Sequence, residues 1–424
     1  MIPRKRITRR TLLKRGAAAS AAVAAPYFVP SGVLAAPGRP GANDRIILGF
    51  IGTGGRARQL MDHVPRDGAR IVAICDCYLQ RCKETLEQKK ANWKVYQYHK
   101  EMLEKEKLDA VVVATTDHAR VLPCIHACQA GLDVYAEKPL TLTIAEGRVL
   151  VNAVRKYKRI FQVGSQQRTM EMNRFACEFI RNGGLGRLKR VQGVSYPGPK
   201  DYDGLPEQPI PEGDDWDIWQ AQTEARPFNH ALQFGWMGWR EYSGGQMTNW
   251  GAHGVDQIQW ALGKCTTGPV EIWPTTPGPH GHVSMRYADG MQVDYDMDEG
   301  PLGGGVFTGA DAKMVLDRNE FRTDPPGFIK NPPDPSVRQA WEGPDWVSRP
   351  HIQNWLDCIR SRKMPNADVE VGHRSITVCH LANIARRVGR RLRWDPDKEL
   401  FRGDDEANTY VDRPRRKGWE LPAL

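Results

Sequence analysis

No stretch of this sequence stays apolar for the roughly 20 residues that a membrane-spanning helix needs, which excludes a protein built on bilayer spans. It also lacks a Cys/His set at zinc-binding spacing. Cys124 and Cys128 stand one helical turn apart with no second pair to complete a site, so no metal is expected. The nine cysteines are an odd number and most fall inside apolar patterns, which reads as free, buried thiols rather than a disulfide framework. Low complexity is absent too: with 40% apolar and 26% charged residues the chain is neither disordered nor collagen-like. Finally, acid is missing where base is concentrated. Arg4, Lys5, Arg6, Arg9, Arg10, Lys14 and Arg15 precede the first acidic residue, Asp44, and without them base and acid nearly balance. The formal charge of +10 therefore points to a leader and not to a nucleic-acid partner.

Thr8-Arg9-Arg10-Thr11-Leu12-Leu13-Lys14 is a twin-arginine pattern, followed by an Ala-rich stretch from Gly16 to Ala25 and a small-residue site near Val33-Leu34-Ala35. Residues 1–35 are predicted to be an export signal that leaves a periplasmic protein with no membrane span. The remaining length exceeds what one hydrophobic core usually fills, so two domains are expected, at 43–167 and 168–424.

Within 43–167 strands alternate with helices: apolar strands at 45–51, 70–75, 110–114, 133–136 and 161–163 bracket helices at 57–64, 79–90, 119–130 and 144–158. This order predicts a doubly wound parallel sheet, a Rossmann fold. After Gln167 the chain changes to long strands and Pro/Gly loops, and Asp289-Gly290 marks a hairpin between strands at 283–287 and 291–295. The predicted fold is thus α/β: a Rossmann dinucleotide-binding domain plus an α/β domain on a large, mainly antiparallel open sheet, with helices at 351–362 and 373–389.

Gly52-Thr53-Gly54-Gly55-Arg56-Ala57 follows the first strand and opens a helix, which is the setting of a dinucleotide fingerprint. Asp76 closes the second strand, where its carboxylate accepts from ribose hydroxyls and repels a 2′-phosphate; NAD is the expected cofactor, with Arg56 and Arg81 keeping NADP as the less favoured alternative. Thr115 and His118 lie at the carboxyl end of an apolar strand, where open parallel sheets bind ligands.

Val134-Tyr135-Ala136-Glu137-Lys138-Pro139-Leu140, the 114–118 strand end and Gly244-Gly245-Gln246-Met247-Thr248-Asn249-Trp250-Gly251-Ala252-His253-Gly254-Val255-Asp256 together resemble the glucose-fructose oxidoreductase and inositol dehydrogenase family, Gfo/Idh/MocA. Residues 164–168 and 365–374 resemble its exported members more narrowly. The resemblance implies that Lys138 lies beside the nicotinamide and touches the substrate hydroxyl, often after a cis peptide to the following proline, with Glu137 orienting the loop. Alcohol oxidation agrees with this, because a proton must leave oxygen as hydride leaves carbon, and a desolvated lysine beside a cationic ring should have a lowered pKa. Where the family's second motif carries a catalytic Asp, this sequence has Asn249. An amide holds a hydroxyl but takes no proton, so His253 is the expected proton acceptor, with Asp256 orienting it or fixing its helix. Seven of the thirteen tryptophans fall between Trp216 and Trp273, and Trp239, Tyr242 and Arg168 are the candidate substrate contacts beside His253. The expected activity is NAD-dependent oxidation of a sugar or cyclic polyol by a homo-oligomer. Glycoside cleavage by transient oxidation, elimination and cofactor recycling is the alternative.

Overall fold

In the computed structural model, which describes residues 44–341 and 348–424, two sheets organise the chain. The twin-arginine segment and its cleavage site lie outside the described residues. Strands β1 (Ile46–Ile51), β2 (Ala69–Cys75), β3 (Lys94–Tyr96), β4 (Ala110–Val113), β5 (Asp133–Ala136) and β6 (Phe161–Val163) form a parallel sheet in the order β3-β2-β1-β4-β5-β6. Connecting helices are α1 (Gly55–His63), α2 (Leu79–Lys89), α3 (His99–Lys105), α4 (Val121–Gln129) and α5 (Ile144–Lys156). The sheet is buried on both faces, which is why β4 reads as an unbroken apolar run: Val111 and Val113 join one core while Ala110 and Val112 join the other.

The second half adds α6 (Glu171–Arg181), β7 (Arg190–Val194), α7 (Trp216–Gln220), α8 (His230–Gly235), α9 (Gly245–Asn249), α10 (Gly251–Ala261), β8 (Glu271–Pro274), β9 (Val283–Arg286), β10 (Gln292–Met297), β11 (Gly305–Thr308), β12 (Lys313–Asp317) and β13 (Glu320–Asp324). After these come α11 (Arg349–Ser361), α12 (Val369–Val388), β14 (Leu392–Asp395), β15 (Leu400–Phe401) and α13 (Asp405–Asn408). The nine strands run in the order β13-β12-β11-β7-β10-β9-β8-β14-β15, antiparallel except where β7 and β10 pair in parallel. No helix among the described residues is long and apolar enough to cross a membrane.

Two observations tie the halves into one compact unit from Ile46 to Leu424. Helix α11, which the sequence reading assigned to the second domain, packs Ile352, Trp355 and Leu356 into the core of β1 and α1, and Val163 of β6 donates its N–H to Ala367. The chain returns because the sheet face beside α1 needs a further apolar cover. Helix α12 is buried from Gly372 to Arg386, between α5 on one side and α10, β8 and β9 on the other. Its polar side chains are matched accordingly: His380 Nε2 meets the Thr141 carbonyl at 3.0 Å and Asn383 donates to that of Gly244 at 2.8 Å. All nine cysteines are free thiols, and only Cys77 and Cys265 are not fully buried.

Candidate active site

The fingerprint loop sits at the carboxyl ends of β1 and β4. Gly52 has φ +89°, and a Cβ there would stand 2.6 Å from the Ala114 carbonyl oxygen, so only glycine fits. A Cβ at Gly54 or Gly55 would meet nothing within 4 Å; this backbone is open to a cavity of about 630 Å³. The cavity runs from that loop past Asp76 and Thr115 to Glu137, Lys138 and Asn249. An exposed glycine backbone at the N-terminus of α1 with a carboxylate at the end of β2 is the donor and acceptor set that a dinucleotide requires. Thr53 does not line the cavity. Its backbone N–H (2.8 Å) and hydroxyl (3.0 Å) both donate to Asp76 Oδ2, so it aims the carboxylate instead of binding cofactor. Arg81 Nη1 lies 3.3 Å from the other oxygen.

The chemical end is built across the two halves. The Lys138–Pro139 peptide is cis. Lys138 Nζ donates to Asn249 Oδ1 at 2.8 Å and to the Asn249 carbonyl at 3.0 Å. The amide's orientation is fixed by its own Nδ2, which donates to Gln246 Oε1 at 2.9 Å. Glu137 holds the loop, accepting from the Lys138 N–H (3.1 Å) and from Arg56 Nε (2.8 Å). Burial raises the Glu137 carboxyl, but Arg56, Lys138 and Arg120 outweigh it and leave the group below its usual range. Lys138 is pushed down to about 8, chiefly by burial, with Arg318 and Arg56 adding to the fall and Glu137 and Asp117 opposing it.

Several expected contacts lie elsewhere. His253 is not a wall of the cavity; burial first, then the charges of Lys138, Arg318 and Arg56, hold its imidazole well below the ordinary value. The Asp117–Ala119 turn swings His118 away from the cavity, against the rings of Trp219 and Tyr242, where Nε2 meets the Trp219 carbonyl at 2.7 Å and burial lowers its pKa to about 3. A similar turn at Gln166–Thr169 aims Gln166 into the cavity and Arg168 out of it; Arg168 Nε pairs with Asp256 at 2.8 Å, both side chains buried. Asp256 also accepts from Ser375 Oγ, so it fixes its helix and does not orient His253. Tyr242 is fully buried in a cluster with Trp216, Trp219 and Phe228, and Trp239 packs edge-on against Tyr202. Neither lines the cavity, because apolar rings that can meet one another bury before they wait for a ligand.

Sequence reading missed Arg318, whose guanidinium stands 5.5 Å over the Trp250 ring and acts on both Lys138 and His253. It also missed Asp117, a cavity wall that accepts from Ser243 Oγ at 3.0 Å. Asp117 falls within the strand-end stretch already singled out and was findable; nothing local marks Arg318.

This site has the form of a nicotinamide-dependent oxidoreductase, and comparison with known proteins agrees. Residues 46–165 match the oxidoreductase family's NAD-binding Rossmann fold, and residues 199–421 match the same family's C-terminal alpha/beta domain. The chain belongs to the Gfo/Idh/MocA oxidoreductase family. It is 32% identical over 125 residues to inositol 2-dehydrogenase/D-chiro-inositol 3-dehydrogenase of Halalkalibacterium halodurans, covering 28% of this chain and 36% of that one. The match thus spans little more than a third of that relative's length. Among solved structures, the fold is similar to the WlbA dehydrogenase of Bordetella pertussis in complex with NADH and UDP-GlcNAcA (TM-score 0.58, 20% identity, 83% of this chain and 99% of that one). It is also similar to levoglucosan dehydrogenase in complex with NADH and L-sorbose (TM-score 0.61, 16% identity, 82% and 99%).

Proposed function

We propose that this protein is an NAD-dependent dehydrogenase that oxidises a secondary hydroxyl of a sugar, sugar derivative or cyclic polyol. The observation that carries the reading is the placement of Lys138: a buried amine with a pKa near 8, held by Asn249 across the domain junction, in the cavity that begins at the fingerprint. The inositol dehydrogenase relative and the NADH-bound neighbours support the substrate class.

Bound NAD supplies the hydride acceptor. Lys138 in its neutral form takes the hydroxyl proton, since a base works best when its pKa is close to the working pH. His253, depressed well below its ordinary value, is the poorer base, so the proton-accepting role expected of it passes to Lys138. Asn249 accepts from the amine without adding charge, which keeps the neutral form accessible. Arg56 and Glu137 tie the fingerprint loop to the lysine loop, so that the cofactor and the base are positioned by one network.

The test is direct. The cofactor released from purified full chain is identified by mass spectrometry, and inositols, aldoses and sugar acids are screened for NADH formation. Release of NADP, or no turnover with any polyol or sugar, overturns the reading. We further propose export through the twin-arginine route, supported by Arg9-Arg10 and the small residues near Ala35. Replacing both arginines by lysine should keep the protein in the cytoplasm, and unchanged export would refute it.

A further inference from the structure

Two adjoining cavities lie in the C-terminal half and share no residue with the dinucleotide cavity. The smaller, of about 270 Å³, is bounded by Gly198, Pro199, Gly278 and Pro279 and by the last turns of α12. Its wall carries three guanidiniums, Arg240, Arg386 and Arg387, against one carboxylate, Asp201. A single oxygen of that carboxylate, Oδ1, accepts from both Arg240 Nε (2.6 Å) and Arg387 Nη1 (2.9 Å). No described residue accepts from Arg240 Nη1.

Arg386 is the unusual member. It is as deeply buried as Arg168, but Arg168 has Asp256 beside it, whereas Arg386 forms no ion pair among the described residues. Its donors go to neutral acceptors: Nε to the Gly281 carbonyl (2.8 Å), Nη1 to that of Tyr196 (2.8 Å) and Nη2 to Ser195 Oγ (2.9 Å). Burial pushes it down to about 10 with no carboxylate opposing the fall. A buried cation is costly unless a counter-charge meets it. With Asp201 already shared by two arginines, this wall keeps an excess of two positive charges, and guanidinium N–H groups match the oxygens of a carboxylate or phosphate.

The larger cavity, of about 730 Å³, continues from the smaller through the common walls Pro199, Arg240, Asn383 and Arg387. Its other arginines have carboxylates of their own: Arg226 has Glu241, Arg413 has Glu146, Arg415 has Asp412 and Arg416 has Asp217. This wall is polar but balanced in charge, which suits an uncharged, hydroxylated group, and the volume admits one of monosaccharide size.

We propose that the two cavities together form an effector site for a monosaccharide-sized molecule bearing a carboxylate or phosphate. The anion meets Arg240, Arg386 and Arg387, and the hydroxylated remainder lies in the larger cavity. Because neither cavity touches the one that holds Lys138, the ligand is not the molecule oxidised. It lies against the start of α9 all the same: a Cβ at Gly245 would stand 2.7 Å from the Pro199 nitrogen, and Asn383 donates to the Gly244 carbonyl. Asn249, the last residue of that helix, holds Lys138.

The test is isothermal titration calorimetry of the full chain at low ionic strength, with glucose 6-phosphate, glucuronate, inorganic phosphate and glucose as probes, each with and without NAD. Glucose 6-phosphate and glucuronate should bind about tenfold or more tighter than glucose, whether or not NAD is present. Arg240→Gln and Arg387→Gln, at partly exposed positions, should each weaken that binding by about tenfold while leaving NAD affinity unchanged. Asp201→Asn, which removes the one carboxylate of the smaller wall, should strengthen it. Anionic sugars that bind no better than glucose, that bind Arg240→Gln as tightly as the parent, or that NAD displaces would overturn the proposal. Inorganic phosphate that binds as tightly as glucose 6-phosphate would overturn the sugar ligand.

Discussion

The fingerprint loop and the 199–240 region border one cavity, yet they were written into the sequence in different ways. In the loop, Gly52, Gly54 and Gly55 follow a strand and open a helix, so each residue's task is set by its immediate neighbours and can be read from a window of a few residues. In the second region the residues that reach the cavity are ordinary ones, Gln233, Phe234 and Trp236, and their task exists only because Gly213 and Asp215 bond to the β2 loop more than a hundred residues away. Residues that look functional by type can therefore be framework, and framework-like residues can be walls. Arg56 and Arg168 make the same contrast. Both are arginines just past a Rossmann strand, and both pair with a carboxylate, but one borders the cavity and the other is sealed between helices.

That contrast can be broken most forcefully at Arg168. Arg168→Ala should leave the Asp256 carboxylate buried without its cation and lower stability by about 3–5 kcal/mol, as for other broken buried pairs. Urea denaturation would measure it. A variant of parental stability that has lost substrate affinity would return Arg168 to the active site. Lys138→Ala comes next, with turnover falling by roughly 100-fold or more while bound dinucleotide is unchanged; near-full turnover would remove the lysine from the chemistry.

A smaller and more pointed change is Asn249→Asp. A carboxylate in place of the amide oxygen 2.8 Å from Nζ favours the ammonium form. The pKa of Lys138 then rises from about 8 towards the ordinary lysine value, and the rising limb of activity with pH moves up by about one unit or more. Turnover measured against pH for both proteins decides it; superimposable profiles would place the proton elsewhere. The least effect is expected at Tyr242→Phe. The hydroxyl is buried with no hydrogen-bond partner and faces no cavity, so stability should change by less than about 1 kcal/mol and KM should not move. A raised KM would show that Tyr242 meets the substrate after all.

Much of the first half was legible. Strands 133–136 and 161–163 fall where the alternation of apolar runs and turns put them, because a parallel strand covered on both faces is mostly apolar; the polar members, Asp133 and Gln162, are matched by the Ile160 N–H and the His351 carbonyl. The helices at 171–181 and 230–235 and the strands at 305–308, 313–317 and 320–324 were not read, since short segments with one face solvated carry a weak pattern. The basicity of His253 is a quantity of a different kind. Spacing placed that residue near Lys138 correctly, but its basicity depends on how deeply it is buried and on Arg318, which arrives from 65 residues further along the chain.

By itself the sequence determined the dinucleotide end: the strand, the glycines, Asp76 and the Glu137-Lys138-Pro139 loop are local arrangements whose backbone demands are met by their own neighbours. Only the tertiary structure decided which polar side chains face the cavity, which are spent on matching buried charge, and what closes the cavity from the far side. Those outcomes depend on burial and on the partners that burial provides. Burial is a property of the packed molecule, and no window of sequence contains it.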